Sequence, residues 1–226
     1  MNLSIKKVVT HKKALAGVAM AAALFCSLQL IATDSASPYK AQPAGSKITI
    51  HGDSTIHKWD MVGVIIGGQI DFGALIDTAQ AEVPGLKEGP IPAKCNAIVP
   101  VRSVKSGHDI MDGLYQEALK EKDFPRITYT LSEMKLKPGH AAGKPVEFDT
   151  TGDLMIAGVT NKVSMPVKVE NIDKTKIKIT GTCPLKMTAF GIKPPAPNIG
   201  LGLMKCADDV SIDFEWTMAQ PAPEKK

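Results

Sequence analysis

The chain has 226 residues, 44% of them hydrophobic, which is enough for one sizeable core or two small ones. Most of its formal charge of +4 is carried by the N-terminus: residues 1–36 hold four lysines and one acid, and the remainder balances 23 basic against 22 acidic side chains. A nearly neutral remainder without a basic stripe interleaved with aromatics excludes nucleic acid as the expected partner.

Lys6, Lys7, Lys12 and Lys13 precede an apolar run from Ala14 to Ala32, and small polar residues follow from Thr33 to Ser37. That order predicts a secretory signal peptide over residues 1–36. The alternative is a retained N-terminal anchor, because a run of this length is near the minimum for spanning a bilayer. Either way the following domain is expected in the periplasm or otherwise exported. Phe25 before Cys26 argues against lipoprotein processing.

Residues 37–45, rich in Pro, Ala and Gly, read as a linker. Ser46 to His51 alternates, with Ile48 and Ile50 on one face, and suits an opening strand. Thr55 to Phe72 is rich in β-formers but carries Gly63, Gly67 and Gly68, which predict bulges or bends where a sheet curls. Ala74 to Ala93 is proline- and glycine-rich and reads as a loop. Asn96 to Val101 is a strand.

The period then changes. Ser106 to Asp109 has the hydroxyl-to-acid spacing of a helix start, and Ile110, Met111, Leu114, Tyr115, Ala118 and Leu119 follow at helical spacing until Pro125. Ile127, Tyr129 and Leu131 return to alternation, continuing through Met134 and Leu136. Thr151 to Val169 predicts a hairpin: Leu154 and Ile156 share a face in the first arm, Val163, Met165, Val167 and Val169 in the second, and Gly158 to Asn161 supply the turn. Ile177 and Ile179 make one further strand, Leu185, Met187 and Ala189 another, and Val210, Ile212, Phe214 and Trp216 the last. Residues 219–226 form a Pro/Ala/charged tail expected to be disordered. The whole is mainly β, about eight or nine strands with one short amphipathic helix, in an antiparallel barrel or sandwich. An eight-stranded barrel is just wide enough for one small ligand, or for its own side chains.

Six segments in order carry a family resemblance. Ser54-Thr-Ile-His-Lys-Trp59 resembles an opening signature, and Val99-Pro-Val-Arg-Ser-Val-Lys-Ser106 the strand that leads into a helix. Asp123-Phe-Pro125 resembles a shortened "F-x-x-Y-P-x-I-x-F" region. Thr151-Gly-Asp-Leu-Met-Ile-Ala-Gly-Val-Thr160 is similar to "tGdLtihGvTk", the most specific motif. Leu185 to Ile192 and Asp209 to Phe214 resemble the closing strands. Together they resemble the YceI-like lipid- and polyisoprenoid-binding family over residues 46–218. The resemblance implies an extended lipocalin-like antiparallel β-barrel of about eight strands, an elongated apolar cavity for a polyisoprenoid or similar amphiphilic chain, and no shared catalytic residues; no cofactor is expected.

The expected function is therefore an exported protein that sequesters or carries a long-chain lipid, as monomer or homodimer, with transient membrane contact. The alternatives are an enzyme acting on such a lipid, with His57 and Asp53 as acid/base candidates, or an interaction module with a filled barrel. Aliphatic and methionine walls suit a flexible chain, because burial is rewarded by area and not direction. The candidate cavity set, taken collectively, is Trp59, Ile98, Leu119, Phe124, Tyr129, Leu131, Leu154, Ile156, Met187, Phe190, Phe214 and Trp216. Gly191 to Lys205 places Ile192, Ile199, Leu201, Leu203 and Met204 in a proline/glycine loop, which reads either as a portal or as the cover of one barrel end. His51, Asp53 and His57 share parity, but Gly52 to Ser54 turns the chain between them, so no metal site is expected. Asp153 beside the hairpin turn is expected to hydrogen-bond rather than to catalyse. Enzyme signatures such as G-x-S-x-G or a Walker loop are missing. Cys183 and Cys206 are the candidate disulfide, against buried free thiols as the alternative.

Overall fold

The structure, a computed structural model, describes residues 37–74, 76–79, 86–196 and 204–221. Residues 1–36, expected as a signal peptide or anchor, lie outside these residues. The described residues form eleven strands: β1 (Tyr39–Ala41), β2 (Lys47–Ser54), β3 (Trp59–Gly63), β4 (Gly67–Asp71), β5 (Gly89–Ile91), β6 (Lys94–Pro100), β7 (Arg126–Leu136), β8 (Val146–Ile156), β9 (Val159–Asn171), β10 (Lys176–Lys186) and β11 (Cys206–Ala219). One α-helix, α1 (Asp109–Ala118), lies between β6 and β7.

The sheet closes on itself. Strands pair antiparallel in the order β1-β4-β6-β7-β8-β9-β10-β11, and β1 returns to β11 through Lys40 opposite Ala219 and Ala41 opposite Met218. This is a closed eight-stranded antiparallel barrel with a single helix, the expected class. The β2–β3 hairpin widens one end, where β2 pairs with β11 from Cys206 to Glu215 and leaves only its last residues to β1.

The linker expectation for residues 37–45 needs correction. Tyr39, 1% exposed, begins a three-residue strand that closes the barrel. Local composition there is linker-like; the strand exists because its partner is the far end of the chain. The 219–226 tail also begins late, since Ala219 still pairs with Lys176 and the Gln220 amide donates to Thr175 O. Leu185, Met187 and Ala189 are not a separate strand. Leu185 belongs to β10, which ends at Lys186, and Met187–Phe190 curls into a 3-10 turn because the Thr188 amide and hydroxyl both donate to Asp208, at 2.8 and 2.7 Å.

The β8–β9 hairpin is tighter than the expected turn over Gly158 to Asn161. Ile156 pairs with Val159, leaving Ala157 and Gly158 as a two-residue loop, both with positive φ (51° and 83°). That geometry matches the right-handed twist of the flanking strands. In β7 a bulge between Leu131 and Glu133 slips the pleat by one residue, so Ile127, Tyr129 and Leu131 and then Met134 and Leu136 all turn inward.

One barrel end is solid. Tyr39, Phe72 and Phe148 are at most 1% exposed; Phe72 meets Tyr39 edge-on at 6.0 Å and stacks on Phe148 at 5.8 Å. Val146, Val169, Ile177 and Met218, each 0% exposed, complete this floor. The segment expected as a loop from Ala74 to Ala93 belongs to this end: Ile76 is buried, and Gly89–Ile91 forms β5 against β7.

Candidate functional site: an apolar cavity beneath the helix

At the other barrel end, side chains do not fill the interior. Helix α1 turns Met111, Leu114, Tyr115 and Ala118 toward the barrel, the i, i+3, i+4, i+7 spacing of one helical face. The helix is started differently from the expected Ser106–Asp109 pairing. Asp112 Oδ1 accepts from the Ser106 amide at 2.7 Å and from its hydroxyl at 2.8 Å, with Lys105 Nζ at 3.5 Å. Asp112 is buried, which by itself raises its pKa, but those donors more than offset burial and the carboxyl is held below its usual value.

Beneath α1 lies a cavity of about 410 Å³, walled by Ile50, Met61, Ile156, Leu185, Met187, Phe190 and Ile192 with the helix above. Ser54, His57, His108 and Lys186 sit at its edge. A second cavity of about 120 Å³ lies deeper, walled by Cys95, Ala97, Val99, Tyr129, Leu131, Leu154, Met165, Cys183 and Phe214, with Met134 and Trp216 toward the floor. Ile127 and Ile212 line both and mark the waist between them. The outer cavity alone is within the size range of small-molecule sites, and its chemistry is that of a site that rewards hydrocarbon burial.

Burial governs the thiols and phenols that line the interior. Burial pushes the Cys95 thiol up to about 12 and raises Cys183 and Cys206 as well. Burial also raises Tyr115, and takes Tyr129 up to about 12. All five therefore stay neutral near pH 7, which suits an apolar occupant.

Of the expected cavity residues, the structure places Trp59, Leu119, Ile156, Met187 and Phe190 on the outer cavity, and Tyr129, Leu131, Leu154, Phe214 and Trp216 on the inner one. Two are elsewhere. Ile98 points to the outer side of β6, because Cys95, Ala97 and Val99 are the inward set of that strand. Phe124 packs over Gly158, where an added Cβ would overlap its ring, so it caps the β8–β9 turn instead of lining the hollow. Of the proposed portal, Ile192 is buried in the outer wall and Met204 lies at the same cavity, while Ile199, Leu201 and Leu203 fall outside the described residues.

His51, Asp53 and His57 are not brought together. His51 lies on the outer barrel face between Asp60 (2.7 Å) and Asp213 (3.2 Å), Asp53 accepts from the Ser54 amide, and His57 stands at the rim. No group of three His, Cys, Asp or Glu suited to a metal occurs among the described residues. Asp153 faces outward to Lys162 at 3.1 Å, a cross-strand pair. The candidate Cys183–Cys206 disulfide is corrected: both are free thiols, since Cys183 pairs with Ile212 midway along β11 whereas Cys206, six residues before Ile212, pairs with Ser54 at the start of that strand.

Sequence reasoning missed Ile50, Met61, Ile127 and Ile212, whose parity within strands already assigned would have found them. It also left out the helix face Met111–Leu114–Tyr115, although its spacing was read correctly.

A family profile described as "YceI-like domain" matches residues 39–218. None of the curated proteins compared matches this chain. Among solved structures, BcnA of Burkholderia cenocepacia superposes with a TM-score of 0.58 at 18% identity, over 76% of this chain and 95% of that one. A domain from Saccharophagus degradans, described as polyisoprenoid-binding and implicated in plant cell wall breakdown, does so at 0.58 and 16% identity, over 82% and 99%. At these identities the likeness is one of fold.

Proposed function

The chain belongs to the family of YceI-like domains, and from that membership we propose that it is an exported protein that sequesters or carries a polyisoprenoid or similar long-chain lipid in the barrel. The observation that carries this reading is the apolar hollow running from beneath α1 past Ile127 and Ile212 to Trp216. A flexible hydrocarbon gains from such a wall in proportion to the area it buries, without needing directional contacts. The polar edge at Ser54, His57, His108 and Lys186 leaves a head group in contact with water. The polyisoprenoid-binding description of the S. degradans domain supports the same ligand class.

The reading includes no catalysis. His57 and Asp53, the acid/base candidates, are separated by the turn at Ser54, whose hydroxyl accepts from the His57 amide at 3.1 Å and donates to its carbonyl. It includes export through residues 1–36, with a retained anchor as the alternative, and contact with a membrane when lipid is loaded or released. Ile56 and Ile110, 59% and 70% exposed near the cavity edge, support that contact.

Native mass spectrometry of the full chain expressed with its N-terminal segment, followed by organic extraction, tests the function. We expect one long-chain lipid per protein and a mature N-terminus near residue 37. A protein that takes up no lipid under any loading condition overturns the reading.

A further inference from the structure

We infer that the inner cavity gauges the length of the bound chain, with Ile127 and Ile212 as the gate and the Trp216–Met134 floor as the stop. This rests on the lipid-binding reading and adds which chains the site prefers. Three observations carry it. The two cavities share only Ile127 and Ile212, so a chain entering beneath α1 must pass between them to go deeper. The inner cavity, at about 120 Å³, is too small to hold a separate ligand and has room for the end of a chain. The floor is rigid: Trp216 is 4% exposed and its indole N–H donates to Ile66 O at 3.0 Å, while Met134 is 2% exposed. Behind it stand Phe148, Val169 and Met218, all 0% exposed, which leave no route onward.

The depth is finite and follows from the strands. From Cys206, paired with Ser54 at the edge of the outer cavity, to Trp216 at the floor, β11 advances roughly 30 Å along its own direction, or about 25 Å along a barrel axis tilted as usual. A prenyl chain gains affinity with each unit it encloses and nothing for units left outside. One isoprene unit moved from water into the hollow strengthens binding on the order of a hundredfold. Affinity therefore rises steeply until the tail meets Trp216 and then stops rising.

The protein carries its own depth markers. Cys206 lines the outer cavity, and Cys95 and Cys183 line the inner one. The experiment uses the full chain with farnesol, geranylgeraniol and solanesol as probes. It measures affinity, and the rate at which a small methanethiosulfonate modifies each cysteine, read by peptide mass mapping. We expect geranylgeraniol to bind far tighter than farnesol and solanesol no tighter than geranylgeraniol. Farnesol should protect Cys206 alone, whereas the longer chains should protect Cys95 and Cys183 as well. Ile212→Phe or Ile127→Phe, which fill the gate, should make geranylgeraniol no tighter than farnesol while Cys206 protection remains. The affinity series on the unaltered protein decides the matter even where a gate variant folds poorly. If farnesol binds as tightly as geranylgeraniol, or if affinity keeps climbing to solanesol, the gauge is overturned and the lipid-binding reading stands. If no probe of any length binds, the lipid-binding reading itself fails and the gauge with it.

Discussion

The ring of Tyr129 lies directly on the bare backbone of Gly152: a Cβ at position 152 would come within 2.5 Å of the phenol carbon and oxygen and 2.6 Å of Thr130 O. The glycine of the Thr151-Gly-Asp-Leu segment is thus a packing requirement, set by an aromatic on the neighbouring strand that walls the inner cavity. Gly152→Ala is expected to lower stability by about 1–3 kcal/mol, the usual cost of overpacking. It should also displace Tyr129 into the cavity. Urea unfolding checks the first effect. The second is checked by comparing lipid affinity of Gly152→Ala with that of Gly152→Ala/Tyr129→Leu, where removal of the ring should reopen the cavity but recover only part of the stability, because the Thr130 carbonyl still crowds the added Cβ.

The solid end of the barrel gives a second expectation. Phe148 is fully buried and stacked on Phe72, with interplanar angle 30°. Phe148→Ala should cost about 3–5 kcal/mol, because the surrounding strands are tied into a closed ladder and cannot collapse into the gap. Phe148→Leu should cost markedly less. Equal losses for the two variants in denaturant titrations would mean that volume at this position is not what holds the floor.

Much of the barrel was legible because its long strands alternate without interruption. In β8 every second residue from Val146 to Ile156 turns inward, and the pairing with β9 runs unbroken from Val146–Val169 to Ile156–Val159. What was not legible depended on partners distant in sequence. Tyr39 joins β1 only because Ile70 and Met218 are there to receive it. Ile98 looked like a wall residue because it is the largest apolar side chain of its strand. A hollow is made by the opposite choice, and the smaller Cys95, Ala97 and Val99 face it. Phe124 followed the same bias toward bulk, yet its place is fixed by the glycine of a turn more than thirty residues later. Apolar alternation, in short, locates an inner face; it does not reveal whether that face is packed or open.

Stability toward acid should depend on the pair Arg102–Glu121. Arg102 grips the carboxylate with two bonds, Nε to Oε1 at 2.6 Å and the second guanidinium nitrogen to Oε2 at 3.0 Å, and the Glu121 side chain is only 10% exposed. Hydrogen bonding from Arg102 holds Glu121 below its ordinary value of 4.5. A depressed carboxylate contributes stability that is fully present above the unfolded-state value and is lost as pH falls through the lower folded-state value. Asp112, also held down, acts in the same direction. Glu121→Gln should therefore be less stable than the parent at pH 7, with the difference shrinking steadily below about pH 4.5. Urea midpoints measured across this range check it; a difference that stays constant with pH would sink the assignment. Arg102→Lys should recover only part of the effect, since an ammonium cannot reproduce the two-pronged contact.

Tyr115 supplies the last expectation. Its ring is 9% exposed beneath α1, and its hydroxyl is buried without a hydrogen-bond partner among the described residues. Burial alone raises its pKa, so the phenol is neutral and its oxygen has given up water for nothing in return. A buried hydroxyl left unsatisfied costs about 1–3 kcal/mol. Tyr115→Phe keeps the ring that walls the outer cavity and removes only that oxygen, so it creates no cavity. The variant should be more stable than the parent by about 1 kcal/mol. Tyr115→Leu, which removes ring area as well, should be less stable than either. Equilibrium unfolding of the three proteins side by side checks the order Phe above Tyr above Leu. A Phe variant clearly weaker than the parent would show that the hydroxyl is satisfied after all, by a bond that forms in solution, and the accounting for this wall of the cavity would have to be redone.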